Sequence, residues 1–120
     1  MKLQIVRIAE RGLANKERLH LSVLQETNLS YYAVLLSRYV TPASIANGSL
    51  AGFWFPNQLV RAGDQVILFS GPGTQTAQRQ ANGTTIHFFY WGLPNTVWNH
   101  SSNCAVVIEV ANWVTSPQGG

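Results

Sequence analysis

The clearest hydrophobic pattern in the chain is an alternation of apolar and polar positions across residues 19–23. Leu19, Leu21 and Val23 alternate with His20 and Ser22. Successive side chains of a strand point to opposite faces, so a period of two places all three apolar side chains on the same face. The segment is therefore predicted to be a strand with one face on a core.

Further strands are predicted from similar or shorter apolar runs. Residues 31–39 place Tyr32, Val34 and Leu36 on one face. Residues 65–70 and 86–91 are apolar on both faces, which is typical of strands covered on both sides. The remaining strands are expected at residues 3–8, 53–55, 96–98 and 105–113, the last with Val106, Ile108 and Val110 facing inward.

Polar segments separate these runs. They include a charged loop around Gly12, a loop at 41–49 interrupted by Pro42 and Asn47–Gly48, and the aperiodic segment 71–85, long enough to be either functional or mobile. No segment has a convincing helical period. Short strands at about ten-residue spacing predict an immunoglobulin-like Greek-key β-sandwich formed by one domain, residues 1–120; a small oligonucleotide-binding-type β-barrel is the alternative.

Composition supports a single packed domain with few charges. The 120 residues are 46% hydrophobic and 11% charged, and about a quarter is the ordinary charged share. Weak repulsion between copies favours self-association. A single cysteine, Cys104, excludes an internal disulfide framework, and Arg7 and Glu10 interrupt the first apolar run before it reaches signal-peptide length. A cytoplasmic protein without a membrane span is expected.

Three segments resemble the lamin tail domain, an immunoglobulin-like β-sandwich. RLHLSVLQETNLSYYAVLL is similar to the family's strand, turn and "dLsGW" strand. FWFPNQLVRAGDQVILFSGPG is similar to its "fp...l.pGd.v.l" hairpin, and TVWNHSSNCAVVIEV to its "VWnn.gD.a.L" ending. The resemblance lies within residues 3–113, and its motifs are turns and core positions.

The chain also departs from this family. Arg18-Leu19-His20-Leu21 replaces an acidic "EyVEL" strand, Tyr31 replaces the glycine of "sGW", and Ser102-Asn103 replace a Gly-Asp turn. The resemblance implies a non-catalytic module that binds proteins, nucleic acid or membranes beside other domains. Fold analogy does not choose among these partners.

Few residues suggest catalysis. His20, His87 and His100 lack metal-ligand spacing, so no metal or cofactor is expected. Cys104 enters an apolar strand and is interpreted as structural, and Asp64 as a turn residue. Gly71-Pro72-Gly73 lacks the ending of a phosphate-binding loop. A hydrolase using His87 or His100 is the third hypothesis, and the chain is expected not to be an enzyme.

Aromatic residues support the leading hypothesis, a module that binds a protein partner or forms a homo-oligomer. Phe89 and Trp91 lie on one face of the predicted strand 86–91, and that face must be covered by a loop, by Trp98 or Trp113, or by a partner. The partner-binding candidates are therefore Phe89, Trp91 and Trp113.

Basic residues support an alternative, nucleic-acid binding. The net charge of +3 arises at the N-terminal end. A solvated charged loop is the simpler interpretation, because carboxylates are interleaved with these cations. The candidate residues are Arg7, Arg11, Lys16 and Arg18, with Arg79 from the long polar segment.

Overall fold

The structure is a computed structural model that describes residues 1–41, 44–45 and 51–119. Within these ranges the chain is nearly all-β, with one short 3₁₀ turn at Leu29–Tyr31. The strands are β1 (Leu3–Ala9), β2 (Arg18–Val23), β3 (Thr27–Asn28), β4 (Tyr32–Thr41), β5 (Ser44–Ile45), β6 (Ala51–Trp54), β7 (Leu59–Val60), β8 (Gln65–Phe69), β9 (Thr76–Arg79), β10 (Thr85–Tyr90) and β11 (Asn103–Glu109).

Two larger sheets contain most of these strands. The first has the order β1-β2-β8-β10-β9 and is antiparallel except for the parallel pair β8–β10. The second has the order β11-β4-β5, and β6 pairs with β4 as well. The short strands β3 and β7 form a separate antiparallel pair.

The core lies between the two larger sheets. Leu19, Leu21 and Val23 of β2 are buried, as the alternation predicts. The other sheet contributes Tyr32, Val34 and Leu36 of β4 to the same cluster, again as predicted. The all-β class is confirmed and the architecture is compatible with a β-sandwich, while the immunoglobulin-like Greek-key order stays a prediction.

Aromatic rings fill one end of this core. Phe53, Phe55 and Phe89 contact one another with centroids 5.1 to 6.5 Å apart, and Trp91 contacts Phe53 and Trp98 at about 6 Å. The paired rings are tilted or perpendicular, an arrangement that adds to the hydrophobic gain of burial. The face of strand 86–91 that carries Phe89 and Trp91 is thus covered by the domain's own side chains, whereas Ile86, Phe88 and Tyr90 on the other face are only partly buried.

The buried carboxylate of Glu17 joins three distant segments. It accepts hydrogen bonds from the backbone N–H groups of Gly12, Val97 and Trp98, each at 2.9 Å, and from the Ser70 hydroxyl at 2.6 Å. Burial acts to raise the pKa of this carboxyl, but the four hydrogen bonds outweigh burial and the pKa is lowered. Glu17 therefore fixes the 10–17 loop and the 93–98 segment onto the end of β8.

The strand predicted at residues 96–98 is wrong, and Glu17 explains why. The N–H groups of Val97 and Trp98 donate to its carboxylate, so they are not free to pair in a sheet. The segment is an irregular connection that leads from β10 of the first sheet to β11 of the second, and Trp98 within it is fully buried.

The polar segment 71–85 contains a strand that its sequence does not indicate. All four residues of β9 are exposed, so they show no apolar period, but β9 pairs with β10 through the backbone. In the predicted 41–49 loop, Ser44–Ile45 forms β5 against β4. Pro42 and Asn47–Gly48 lie outside the described residues.

The predicted facing of β11 is also wrong. Ala105 and Val107 pack against the core, whereas Ile108 is 37% exposed. Both faces of this strand are apolar, so alternation alone cannot orient it.

The turn assigned to Asp64 is confirmed, since its carboxylate accepts the Arg61 N–H at 3.0 Å. Over the described ranges, no helix reaches the length and apolar character that crossing a membrane requires.

Candidate functional site

An apolar surface covers the side of β4, β6 and β11 that faces away from the core. Ala33 of β4 lies opposite Trp54 of β6 and Ile108 of β11, and Leu35 is paired with a residue of each neighbour in the same way. Directly opposite residues of antiparallel strands share a face. The outer apolar face, as we call this surface, consists of Ala33, Leu35, Gly52, Trp54, Val106, Ile108, Val110 and Trp113.

Two tryptophans dominate the outer apolar face. Trp54 is 51% and Trp113 is 61% exposed, and their rings meet edge to face with centroids 5.6 Å apart. The Trp54 Nε1–H donates to the Ser30 carbonyl at 2.7 Å, which orients the indole on the sheet. None of the residues that define the face is charged. The result is an ordered aromatic surface that is left in water.

The surface forms an open depression rather than an enclosed cavity. A small-molecule site usually encloses most of its ligand and adds a few convergent polar groups. Here Leu35, Trp54 and Ile108 offer broad apolar contact with little polar chemistry. This arrangement suits another apolar surface better than a small polar molecule.

The predicted partner-binding residues lie in different places. Phe89 is 1% exposed in the core and has no surface to offer a partner. Trp91 is half-buried and packs between Phe53 and Trp98. Trp113 lies on the outer apolar face, beyond the end of β11 rather than within the predicted strand 105–113. The structure therefore separates Trp113 from the other two residues by the thickness of a sheet.

The sequence reasoning missed Leu35, Trp54 and Ile108. A signal for Trp54 was present, because a strand cannot place three consecutive aromatic residues on one face. Phe53 and Phe55 turn to the core, so Trp54 between them must turn outward. The facing of β11 had no comparable signal.

Two of the basic candidates, Arg7 and Arg18, lie close together on the five-stranded sheet, and Lys16 lies in the turn just before β2. Arg7 of β1 is paired with His20 of β2, and the Arg18 Nε–H donates to the His20 Nε2 at 3.0 Å. The Arg18 guanidinium also lies 5.9 Å from the centre of the Phe69 ring and donates to the Lys16 carbonyl. Burial first, then the charges of Arg7 and Arg18, lower the pKa of His20.

The other two basic candidates lie elsewhere. The Arg11 guanidinium donates to the carbonyls of Trp98 and Asn103, each at 3.3 Å, near the start of β11. Arg79 is on β9, at the opposite edge of the five-stranded sheet from β1. The five predicted residues therefore do not form one continuous basic patch.

Asp64 and His87 form a second buried polar pair, beside that of Glu17 and Ser70. The His87 Nε2 lies 3.2 Å from the Asp64 carboxylate, which also accepts the N–H groups of Arg61 and Thr85. Burial acts to raise the pKa of Asp64, but these hydrogen bonds and the nearby imidazole outweigh burial and lower it. Asp64 thereby fixes the 61–64 turn to the start of β10, a structural role.

His100 and Cys104 do not form a nucleophile–base pair in the structure. The His100 Nδ1 lies 2.6 Å from the Ser102 hydroxyl in an exposed turn. Cys104 is buried, and burial raises the pKa of its thiol, so the reactive thiolate is disfavoured. Among the residues that the structure describes, no three His, Cys, Asp or Glu side chains are placed to hold a metal ion.

Comparison of the chain with protein-family models, with curated proteins and with solved structures gives no match. The lamin-tail resemblance therefore stays a prediction from the sequence.

Proposed function

We propose that this chain is a non-enzymatic interaction module that binds a protein surface through the outer apolar face. The observation that carries the proposal is the exposure of Trp54, Trp113 and Ile108 on a sheet surface without a charged residue. Contiguous exposed apolar surface commonly marks an interaction site, and tryptophan is enriched among the residues that contribute most to binding energy.

The rigidity of the surface adds to its fitness for binding. Leu35 lies at the centre of three hydrogen-bonded strands, and the Trp54 indole is held by its bond to Ser30. A surface that is already ordered loses little conformational entropy when a partner covers it. Most of the hydrophobic gain is then left to contribute to affinity.

The alternatives have less support. A hydrolase using His87 or His100 would need convergent reacting groups, but His87 is enclosed with Asp64 and His100 contacts Ser102. Nucleic-acid binding through Arg7, Lys16 and Arg18, with Arg11 and Arg79, stays a prediction. A non-catalytic module agrees with what the lamin-tail resemblance implies, and we place it in the cytoplasm as part of the same proposal.

The test is to disrupt the outer apolar face without disturbing the core. A tagged chain is cross-linked in an extract of its source cells, and the captured chains are identified by mass spectrometry. We expect Leu35→Lys and Trp113→Ser each to weaken capture of the main product at least about tenfold, since a lost central apolar contact costs more than about 1.4 kcal/mol. The products are compared by intensity at equal bait concentration.

A matched control comes from the other sheet. Val6 of β1 is 53% exposed, so Val6→Ser removes a comparable apolar side chain from a different surface. This control is expected to retain the wild-type products. Capture that is the same for wild type, Leu35→Lys and Trp113→Ser would contradict the proposed function.

A further inference from the structure

The open edge of β11 is a second surface of this chain that could bind another protein. Strand β11 ends the order β11-β4-β5 of its sheet, so its far side has no neighbouring strand in the described part of the chain. The Val110 N–H donates to the Tyr31 carbonyl, and the Tyr39 N–H donates to the Ser102 carbonyl. Both bonds follow the single, uninterrupted register of the β4–β11 pair.

These two bonds determine which amides face the open edge. In an antiparallel pair the hydrogen-bonded positions alternate along the strand, so the even-numbered residues of β11 bond to β4. The N–H and C=O groups of Ala105, Val107 and Glu109 therefore point away from β4. Over the described residues they have no hydrogen-bond partner on that side.

The other long or exposed edges carry features that discourage pairing. Strand β1 has a register shift between Ile5 and Arg7, and its edge includes the Arg7 charge. Strand β9 is short, polar and contains Arg79, and β6 has four residues. Irregularity, positive charge and shortness are the usual protections of a sheet edge. Strand β11 has seven residues, a regular register and no Lys, Arg or Pro.

We infer that the partner is a second copy of this chain, paired antiparallel through β11 about a two-fold axis at Val107. This pairing goes beyond the proposed function: it uses the edge of β11 and leaves the outer apolar faces of both copies open to a further partner. In this register Val107 lies opposite Val107 of the copy, and Ala105 lies opposite Glu109. Every outward amide of the three residues then gains a partner, giving about six backbone hydrogen bonds between the copies.

The same register matches the side chains. A two-fold axis perpendicular to the sheet keeps equivalent faces on the same side, so Val106 of one copy lies opposite Ile108 of the other. The two outer apolar faces thereby join into one surface. Glu109 becomes a diagonal neighbour of Asn103 of the copy, whose carbonyl accepts a hydrogen bond from the Arg11 guanidinium.

Sedimentation velocity on the full chain tests this pairing. Wild type is expected to dimerise reversibly, and Val107→Pro to raise the dissociation constant at least about tenfold, because proline removes a central donor. The Val107 N–H does not bond to β4, so proline breaks no hydrogen bond within the copy, although it also removes part of a side chain that packs against the core. The matched control is Ala77→Pro on β9. The Gln80 N–H donates to the Thr84 carbonyl in the register of the β9–β10 pair, so the even-numbered residues of β9 bond to β10. The Ala77 amide therefore faces the open edge of β9.

Amide hydrogen exchange of the wild-type chain gives a second measurement that needs no variant. The amides of Ala105, Val107 and Glu109 are expected to become protected as concentration rises, while that of Ala77 does not. A wild-type monomer at every concentration, or dimerisation equal in wild type and Val107→Pro, would overturn the pairing. Either result leaves the proposed function standing if Leu35→Lys still loses a captured partner, so the two failures are distinguishable.

Discussion

A single buried carboxylate, that of Glu17, accounts for much of the shape of the chain outside its strands. Its four donors come from Gly12, Ser70, Val97 and Trp98. A buried charge is tolerated only where hydrogen bonds replace its water, and here both oxygens have two donors. The 10–17 loop and the 93–98 segment are thus ordered by the same group.

Replacing Glu17 is expected to destabilise the fold. In Glu17→Gln one carboxylate oxygen becomes an NH₂ group. This group cannot accept a hydrogen bond from the donors that face it. Charge-assisted hydrogen bonds are lost and buried donors are left unpaired, so the free energy of unfolding should fall by about 2–4 kcal/mol. Denaturation in urea measures the change.

The control for that variant is Glu10→Gln, which removes the same charge from an exposed side chain of the same loop. Its free energy of unfolding is expected to stay within about 0.5 kcal/mol of wild type. Equal stability of Glu17→Gln and wild type would show that the carboxylate is not the anchor.

The role of Glu17 could not be predicted from the sequence. It stands among charged residues at 10–18, where a solvated loop is the ordinary interpretation. Its main donors, the amides of Val97 and Trp98, lie far away in the chain and have no side-chain signature. By contrast, Cys104 and Asp64 were interpreted correctly, because an apolar strand and a Gly-Asp turn are local patterns.

Strands were predictable to the extent that their two faces differ. Strand β2 carries polar residues on one face, and its core residues were identified from alternation; the core residues of β4 were also identified, although its other face carries Leu35. Strand β11 is apolar on both faces and β9 is polar on both, so the facing of one and the existence of the other were missed. The outer apolar face went unnoticed for the same reason.

The connection after β8 brings the backbone of Gly73 close to the Tyr90 ring. A Cβ added at Gly73 would lie 2.2 Å from the Tyr90 ring, and that ring is stacked on Phe69 with centroids 5.0 Å apart. The ring cannot turn aside without losing this stack. Gly73→Ala is therefore expected to lower the free energy of unfolding by about 1–3 kcal/mol, as overpacking does.

Gly71→Ala is the matched control for Gly73→Ala in a thermal or urea titration. A Cβ at Gly71 would lie 3.4 Å from the Asn15 Oδ1, an ordinary contact. A loss of stability that is equal in the two variants would show that the 71–75 connection adapts freely. The stack of Phe69 and Tyr90 would then not depend on glycine.

The buried ionisable groups together set how the stability of the domain depends on pH. Burial and the neighbouring arginines lower the pKa of His20, and hydrogen bonds lower those of Glu17 and Asp64 against the effect of burial. Below their ordinary pKa values these groups bind more protons in the unfolded chain than in the folded one. Folding stability therefore falls as the pH falls.

The opposite sign holds on the alkaline side. Burial raises the pKa of Cys104, and burial together with the hydrogen bond to Glu109 raises that of Tyr32. These groups lose protons earlier in the unfolded chain, so stability falls as the pH rises above their ordinary values, about 8.5 for cysteine and 10 for tyrosine.

Stability is therefore expected to be greatest between about pH 6.5 and 8.5, and to fall most steeply below about pH 4.5, where the carboxylates of the unfolded chain take up protons. Urea denaturation across this range measures it. Glu17→Gln should flatten the acid limb while leaving the alkaline limb unchanged, and Cys104→Ala should do the reverse, because each variant removes one of the titrating groups. If the free energy of unfolding fell equally steeply at acid pH in Glu17→Gln and wild type, other carboxylates would cause the acid sensitivity. Glu17 would then stabilise the fold without setting how its stability depends on pH.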